Sequence, residues 1–456
     1  MNNLNNLEKL ALYIGKTLIF LTKLTKISQG TNLPGKVSLK LAPALFQKLS
    51  KDKAIIAISG TNGKSTTSGL IYNCLTANGF KVVHNRQGAN LITGLTTTLI
   101  NASNLFGQID CDYLLLEIDE ATLPNVSSQS QIDYLVVTNL FRDQLDRFGE
   151  LDTTKKLIEK GIINSQITLI LNADDPNVCQ IEARDNKKVF YGLDSANIVN
   201  SQTGNQTREL AYCKLCNCEI AYHSVFYNQL GDWYCPNCNN KRPLPDVIIA
   251  SLEAKGIDVQ AKAIIDLKEY KLTYSLPGLF NAYNISGCLA LSYALNLNID
   301  KTLEGLLKYK PLFGRSEIIH LHNQNIIIQL IKNPAGASLA LSSIKPDEII
   351  IIAINDNLAD GRDISWLWDT QFELLNHHQN KIIVSGKRLY DMAVRLKHAN
   401  FDKTKIICLP DLKVAIDEGF KQANGKGNLR ILPTYTCLLE LQNIFKDLGY
   451  KMSGLN

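Results

Sequence analysis

The apolar run Ala54 to Ile58 passes directly into Ser59, Gly60, Thr61, Asn62, Gly63, Lys64, Ser65 and Thr66. A β-branched strand that breaks into a glycine turn and then a helix leaves backbone N–H groups aimed at an anion, and few folds offer that arrangement. Gly60, Thr61, Asn62, Gly63, Lys64, Ser65 and Thr66 are therefore the expected nucleotide-phosphate loop. Lys64 supplies the counter-charge, and Ser65 is placed to hold Mg²⁺. The common form of this loop sets its glycines further apart, whereas Gly60 and Gly63 enclose only two residues, so a shorter variant is expected.

The 456 residues, 45% hydrophobic and 20% charged, can bury ample core and should divide into two or three domains. A net charge of +5 on that length does not call for nucleic acid. Leu7 to Ile27 reads as an amphipathic helix, because Lys9, Lys16, Lys23 and Lys26 interrupt it too often for a membrane span. It either packs on the core or touches a membrane surface. With no cleavage site or acidic-poor leader, a cytoplasmic protein is expected, with peripheral contact at the inner face of the membrane left open.

Of eleven cysteines, four form a spaced set, Cys213-x-x-Cys216 and Cys235-x-x-Cys238. Two such knuckles present four thiolates tetrahedrally, as a structural Zn²⁺ requires, with no open position for catalysis. Cys218 is a competing ligand, and two redox or accidental pairs are the alternative. The aromatics Tyr212, Tyr222, Phe226, Tyr227, Trp233 and Tyr234 suit a small metal-stapled hairpin with little core of its own.

Candidate strands Lys81 to His84, Tyr113 to Ile118, Tyr134 to Thr138 and Thr168 to Leu171 alternate with helical segments, the pattern of an α/β parallel sheet. Ligands gather at the C-terminal ends of such strands, where Glu117, Asp119, Glu120, Thr138, Asn139, Asn172, Asp174 and Asp175 fall. Glu117 is the first choice as Mg²⁺ ligand beside Ser65. Asp119, Asp174 and Asp175 serve equally well as helix caps.

Gly60 to Thr66, Thr138-Asn139 followed by Arg142 to Gly149, Leu171 to Pro176, Phe280 to Asn284, and Phe313-Gly314-Arg315 together resemble the Mur ligases. Those enzymes use ATP to turn a carboxylate into an acyl phosphate that an amine attacks. The resemblance implies a Mur-ligase-like α/β fold and ATP as substrate with Mg²⁺. It puts Asn281 and Asn284 near the adenine and brings Arg315 from the next domain onto the phosphates, beside Lys64 and Glu117 as catalytic candidates. Helix starts at Asn281 and Asn284 and a hinge salt bridge at Arg315 are the bland alternatives.

The chain departs from the ordinary pattern at Asp143-Gln144, where a metal-binding His follows the Asp in those ligases, and at Ile331 to Gly336, where an Asp is missing before Asn333-Pro334. Together with the four-cysteine insert and the run Asn355 to Trp368, this is similar to the amidating branch of the family. There a partner glutaminase subunit supplies ammonia and the D-glutamate α-carboxylate of the lipid II stem peptide is amidated. The resemblance puts on Asp363 the role of completing the partner's Cys-His pair, with Asp356 and Asp360 as competitors and a helix N-cap as the bland reading. Cys74, Cys111, Cys179, Cys288, Cys408 and Cys437 carry no nucleophile signature.

The expected layout is N-terminal helices over 1–49, an ATP-binding domain over 50–312 with a ribbon near 205–245, and a smaller α/β domain over 313–456. Lys332 is a further candidate at the substrate end. A stand-alone Mur or folylpolyglutamate-like amide ligase and a non-catalytic ATP-binding zinc-ribbon adaptor are the other readings.

Overall fold

The structure is a computed structural model, described over residues 4–25, 32–85, 89–142, 151–163, 166–183, 186–194, 197–198, 212–255, 258–276, 278–311, 313–321, 324–424 and 428–450. The Asp143-Gln144 departure, most of the segment leading into the ribbon, and Leu312 lie outside the described residues.

A nine-stranded sheet forms the centre of the molecule. Its first five strands in sequence are β1 (Ala54–Ser59), β2 (Val82–His84), β3 (Tyr113–Glu117), β4 (Tyr134–Val137) and β5 (Thr168–Asn172). β6 (Lys188–Leu193) follows, then a separate hairpin of β7 (Ala221–Tyr227) and β8 (Leu230–Tyr234). β9 (Val247–Lys255), β10 (Asp258–Ile265) and β11 (Lys268–Tyr274) complete the large sheet, whose order is β11-β10-β9-β6-β5-β4-β1-β3-β2.

From β2 to β9 every pairing is parallel. In β1, Ile56 and Ile58 enter one core while Ile55 and Ala57 enter the other, which is why the strand reads as a continuous apolar run. The sheet is not parallel throughout, because β9, β10 and β11 pair antiparallel. Asp266 and Leu267, both at positive φ, join β10 to β11 directly, and so short a turn cannot return a parallel strand.

The C-terminal sheet has six strands: β12 (Arg315–Leu321), β13 (Gln324–Gln329), β14 (Ile349–Ala353), β15 (Ile382–Ser385), β16 (Ile406–Cys408) and β17 (Asn428–Pro433). Their order is β12-β13-β17-β14-β15-β16, antiparallel only between β12 and β13. β14 is five buried residues, Ile349 to Ala353, flanked by apolar clusters on both faces.

The N-terminal helix Asn6–Thr25 packs on the core through Ala11, Leu12 and Ile19, and Gly15 leaves room for Ser38 of the helix Leu33–Leu41. Its opposite face is exposed. No helix among the described residues is long and apolar enough to cross a membrane.

Candidate active site and metal centre

The loop after β1 is formed by two glycines that no other residue could replace. Gly60 has φ of 120°, and a Cβ there would lie 2.4 Å from Thr138 Oγ1. Gly63 has φ of 85°, and its Cβ would lie 2.3 Å from Asn284 Oδ1. A side chain would therefore both strain the backbone and collide. The helix Lys64–Ala77 starts at Gly63 with no side-chain cap, so its first-turn N–H groups remain available to an anion.

The end of β4 braces this loop. Asn139 accepts from Asn62 N at 2.9 Å and donates to Asn62 O at 3.0 Å, while Thr138 Oγ1 donates to Asn62 O at 2.7 Å. Thr61 N donates to Asn139 O at 2.9 Å.

Lys64 folds back into the loop. Its Nζ donates to Gly60 O and pairs with Glu120 Oε1 at 3.0 Å, both side chains being buried. Burial works against the ammonium, but the carboxylates of Glu120, Glu117 and Asp119 outweigh it and raise its pKa. Burial raises the Glu120 pKa in turn, opposed by Lys64. Glu120 is thus the partner of Lys64, a role that attention to Glu117 overlooked.

Glu117 is buried and held by its backbone, N and O each bonding Asn85 at 2.8 Å. Its carboxylate makes no hydrogen bond among the described residues. Ser65 is half-buried on the first turn of the helix Lys64–Ala77. Tyr309 Oη is buried nearby against Thr66, and the field of Glu117 reaches it.

Asp119, Asp174 and Asp175 take the capping and structural reading. Asp119 accepts from Ala121 N. Asp175 caps the helix Pro176–Cys179 and accepts from Leu140 N at 2.8 Å, and burial lifts its pKa to about 6. Asp174 is fully buried, paired with Arg242 at 2.6 Å and accepting from Tyr283 Oη and Leu193 N.

A cavity opens beside the loop between the two sheets. Asn62, Gly63, Thr66, Asn139, Tyr227 and Phe280 line it, with Asn284. From the C-terminal side come Gly314, Arg315, Gln329, Leu330, Ala335 and Gly336. Asn284 accepts from Thr67 Oγ1 and donates to Asn281 Oδ1 at 3.0 Å, so Asn281 stands behind it, buried. Arg315 opens β12 and pairs with no carboxylate among the described residues. Lys332 does not line this cavity. Its neighbour Asn333 caps the helix Pro334–Ser342 and donates to Asn62 Oδ1 at 3.1 Å. Tyr227 and Asn333 are contributors that sequence spacing alone did not single out.

The second cluster lies past β14. Asp360 is consumed by Thr436 N at 2.7 Å, Thr436 Oγ1 at 2.6 Å and Asn357 N at 3.1 Å. Asp356 pairs with Arg388 at 2.7 Å. Asp363 accepts from Ser365 N through Oδ1 at 2.8 Å, the N-cap-like contact, which leaves Oδ2 unbonded among the described residues. Asp356, Asn357, Arg362, Lys387 and Arg388 line an open hollow beside it.

The thiols of Cys213, Cys216, Cys235 and Cys238 all lie within 4.8 Å of one another. The separations of 3.5 Å (Cys213 to Cys238), 3.4 Å (Cys216 to Cys235) and 3.8 Å (Cys216 to Cys238) match the ~3.8 Å expected between thiolates on a tetrahedral metal. Burial pushes the Cys213 thiol up, but hydrogen bonds from Asn240 and the Cys216 and Leu215 amides outweigh it, bringing it to about 6. Cys218 stands outside this group of four, but it touches it: its carbonyl accepts from Cys213 N, its amide bonds the Cys216 thiol and its thiol meets that of Cys235.

The ribbon does not stand alone. Trp233 is buried and donates to Ala173 O at 2.9 Å, and Phe226, Tyr227 and Leu230 join the central core. Elsewhere burial raises the thiols of Cys111, Cys179, Cys288, Cys408 and Cys437, the last to about 12, which disfavours a thiolate nucleophile.

Two α/β sheets, a short phosphate loop and a cavity between them over that loop define a protein of the Mur ligase class. The Mur ligase middle domain model matches residues 58–238 and the MurT ligase C-terminal model residues 330–438. The lipid II isoglutaminyl synthase (glutamine-hydrolyzing) subunit MurT of Staphylococcus aureus (strain COL) is 35% identical over 92% of this chain and 95% of its own length. The corresponding subunit of Streptococcus pneumoniae is 32% identical over 95% and 96%. The chain belongs to the MurT family of Mur-ligase-like proteins. Its fold is shared with a pseudomurein peptide ligase type C from Methanothermus fervidus, at a TM-score of 0.68 and 22% identity over 91% of this chain and 84% of that one. It is also shared with the folylpolyglutamate synthase of Mycobacterium tuberculosis, at a TM-score of 0.65 and 12% identity over 96% of this chain and 99% of that one.

Proposed function

We propose that this chain is the ATP-dependent subunit of a glutamine-hydrolysing lipid II isoglutaminyl synthase. It would amidate the D-glutamate α-carboxylate of the lipid II stem peptide to D-isoglutamine with ammonia from a GatD-type glutaminase. The observation that carries this reading is the 35% identity to such a subunit over 92% of the chain, spanning both the loop and the Asp363 region.

The γ-phosphate of ATP would lie on the first-turn amides of the helix Lys64–Ala77, with Lys64 beside it. The stem-peptide carboxylate attacks the γ-phosphorus, ADP leaves, and an acyl phosphate forms. Ammonia then adds to the acyl carbon, the carbon–oxygen bond to phosphate breaks, and a proton is lost to give the amide. Arg315, which pairs with no carboxylate among the described residues, would stabilise the transferring charge. Asn284, backed by Asn281, would form the base end of the cavity with Phe280 and Tyr227. Closure over an acyl phosphate would exclude water from it.

Ser65 and Glu117, the latter with an unspent carboxylate, would hold Mg²⁺, which neutralises phosphate charge. The four thiols suit Zn²⁺ in a closed, structural site. The glutaminase Cys would belong to the partner, and the Oδ2 of Asp363, unbonded among the described residues, would orient that partner's histidine.

Glu117→Ala tests the enzymatic core. Loss of ATP turnover with unchanged folding is expected; unchanged turnover would remove Glu117 from the site, and no turnover even by the unaltered chain with its partner would favour an adaptor that binds ATP without using it.

A further inference from the structure

The helix Asn6–Thr25 is apolar on two opposite faces. Its inner face buries Ala11, Leu12 and Ile19. On the outer face Leu7, Leu10, Tyr13, Phe20, Leu21 and Leu24 recur at helical spacing and are 43–69% exposed. Such a stripe is ordinarily covered by something. It continues beyond the helix: Leu105 and Phe106, 60% and 69% exposed, stand in the turn whose Gly107 packs on Leu4, just ahead of the helix.

Charge identifies what covers it. Residues 1–53 hold nine lysines, no arginine and two acids, a net charge of +7 against +5 for the whole chain, so the remaining residues are net negative. Lys9, beside the stripe, and Lys36 and Lys40, on the helix packed against it through the Ser38 Oγ bond to Ala11 O, are exposed. Lys16 instead donates to Ile100 O and Ser103 O, fastening the helix to the body. An apolar stripe edged by lysines, on a helix that cannot span a bilayer, matches an anionic lipid surface.

We propose that the outer face of the helix Asn6–Thr25 docks on an anionic membrane surface. There it would bring the cavity over the phosphate loop to a lipid-linked substrate, and this second clause rests on the function proposed above.

The test is flotation of the full chain with vesicles of phosphatidylglycerol or of phosphatidylcholine, free of any lipid-linked substrate. Binding to the phosphatidylglycerol vesicles that weakens with salt is expected. The variant Leu10→Gln/Phe20→Gln/Leu24→Gln should bind roughly tenfold or more weakly while keeping its melting temperature. Leu267→Gln, at the 95%-exposed turn between β10 and β11, should bind like the unaltered chain. Failure of the unaltered chain to float, or equal binding by the triple variant, would overturn the proposal. So would a dimer that only the triple variant dissociates, with no vesicle binding, since the occupant would then be a second copy. Amidation of a water-soluble substrate analogue, assayed in parallel with the partner glutaminase, should be unchanged in the triple variant. Vesicle binding without any amidation would support the docking site and overturn the functional reading instead.

Discussion

Asn333 of the C-terminal unit donates through Nδ2 to Oδ1 of Asn62 in the phosphate loop, at 3.1 Å, while its own Oδ1 accepts from Gly336 N at 2.8 Å. One side chain thus caps a helix and ties the two sheets together across the cavity. Asn333→Asp keeps the cap acceptor but sets a carboxylate against Asn62 Oδ1. The cap being retained, thermal stability should change by less than about 1 kcal/mol. Amidation should fall roughly tenfold or more through a misplaced C-terminal unit. Steady-state kinetics beside a melting curve check this; a change in melting alone contradicts it.

Lys64 and Glu120 form a buried pair at 3.0 Å. Removing one partner leaves a buried charge, so Glu120→Ala should cost about 3–5 kcal/mol, and Lys64→Met/Glu120→Leu should recover much of that. Both variants should lose ATP turnover. Denaturant unfolding of the single and double variants decides it, and additive losses would show that the pair is not coupled.

The four-thiol centre should hold one metal ion per chain, removed with Cys213→Ser and retained with Cys218→Ser. Because Trp233 and Phe226 join this hairpin to the central sheet, metal loss should also lower the stability of the whole ATP-binding unit, by several kcal/mol. Metal analysis with melting curves reads both.

Asp175 contributes a pH dependence of definite sign. Burial holds its carboxyl at about 6 in the folded protein, above the ordinary 3.8. The folded state therefore binds the proton more tightly, and stability falls as pH rises from about 4 to about 6, then levels. Asp175→Asn, which can still accept from Asn177 N, should flatten this slope, worth on the order of 1–3 kcal/mol. Unfolding free energies at pH 4 and 7 for both proteins test it.

The strands around the phosphate loop were legible because a buried parallel strand is a continuous apolar run, as in Ala54 to Ser59. The four thiols were legible because their spacing is the chemistry. The antiparallel edge β9 to β11 was not, since alternation in Asp258–Ile265 fixes a strand but not its partner's direction. Glu120 was hidden beside Glu117 because only the exit path of the chain from β3 decides which carboxylate meets Lys64. The contacts of Tyr227 and Asn333 with the site span hundreds of residues or cross between units, and no local pattern carries them.

The central claim is a division of labour between two subunits, and amide formation on lipid II with ATP tests it most directly. The assay would compare glutamine with ammonia, using this chain alone, the chain with its glutaminase, and the pair carrying Asp363→Asn. Glutamine should support amidation only in the pair, and Asp363→Asn should abolish glutamine use while ammonia still serves. Coupling of an amino acid to a carboxylate by this chain alone, or full glutamine use by the Asp363→Asn pair, would contradict the account.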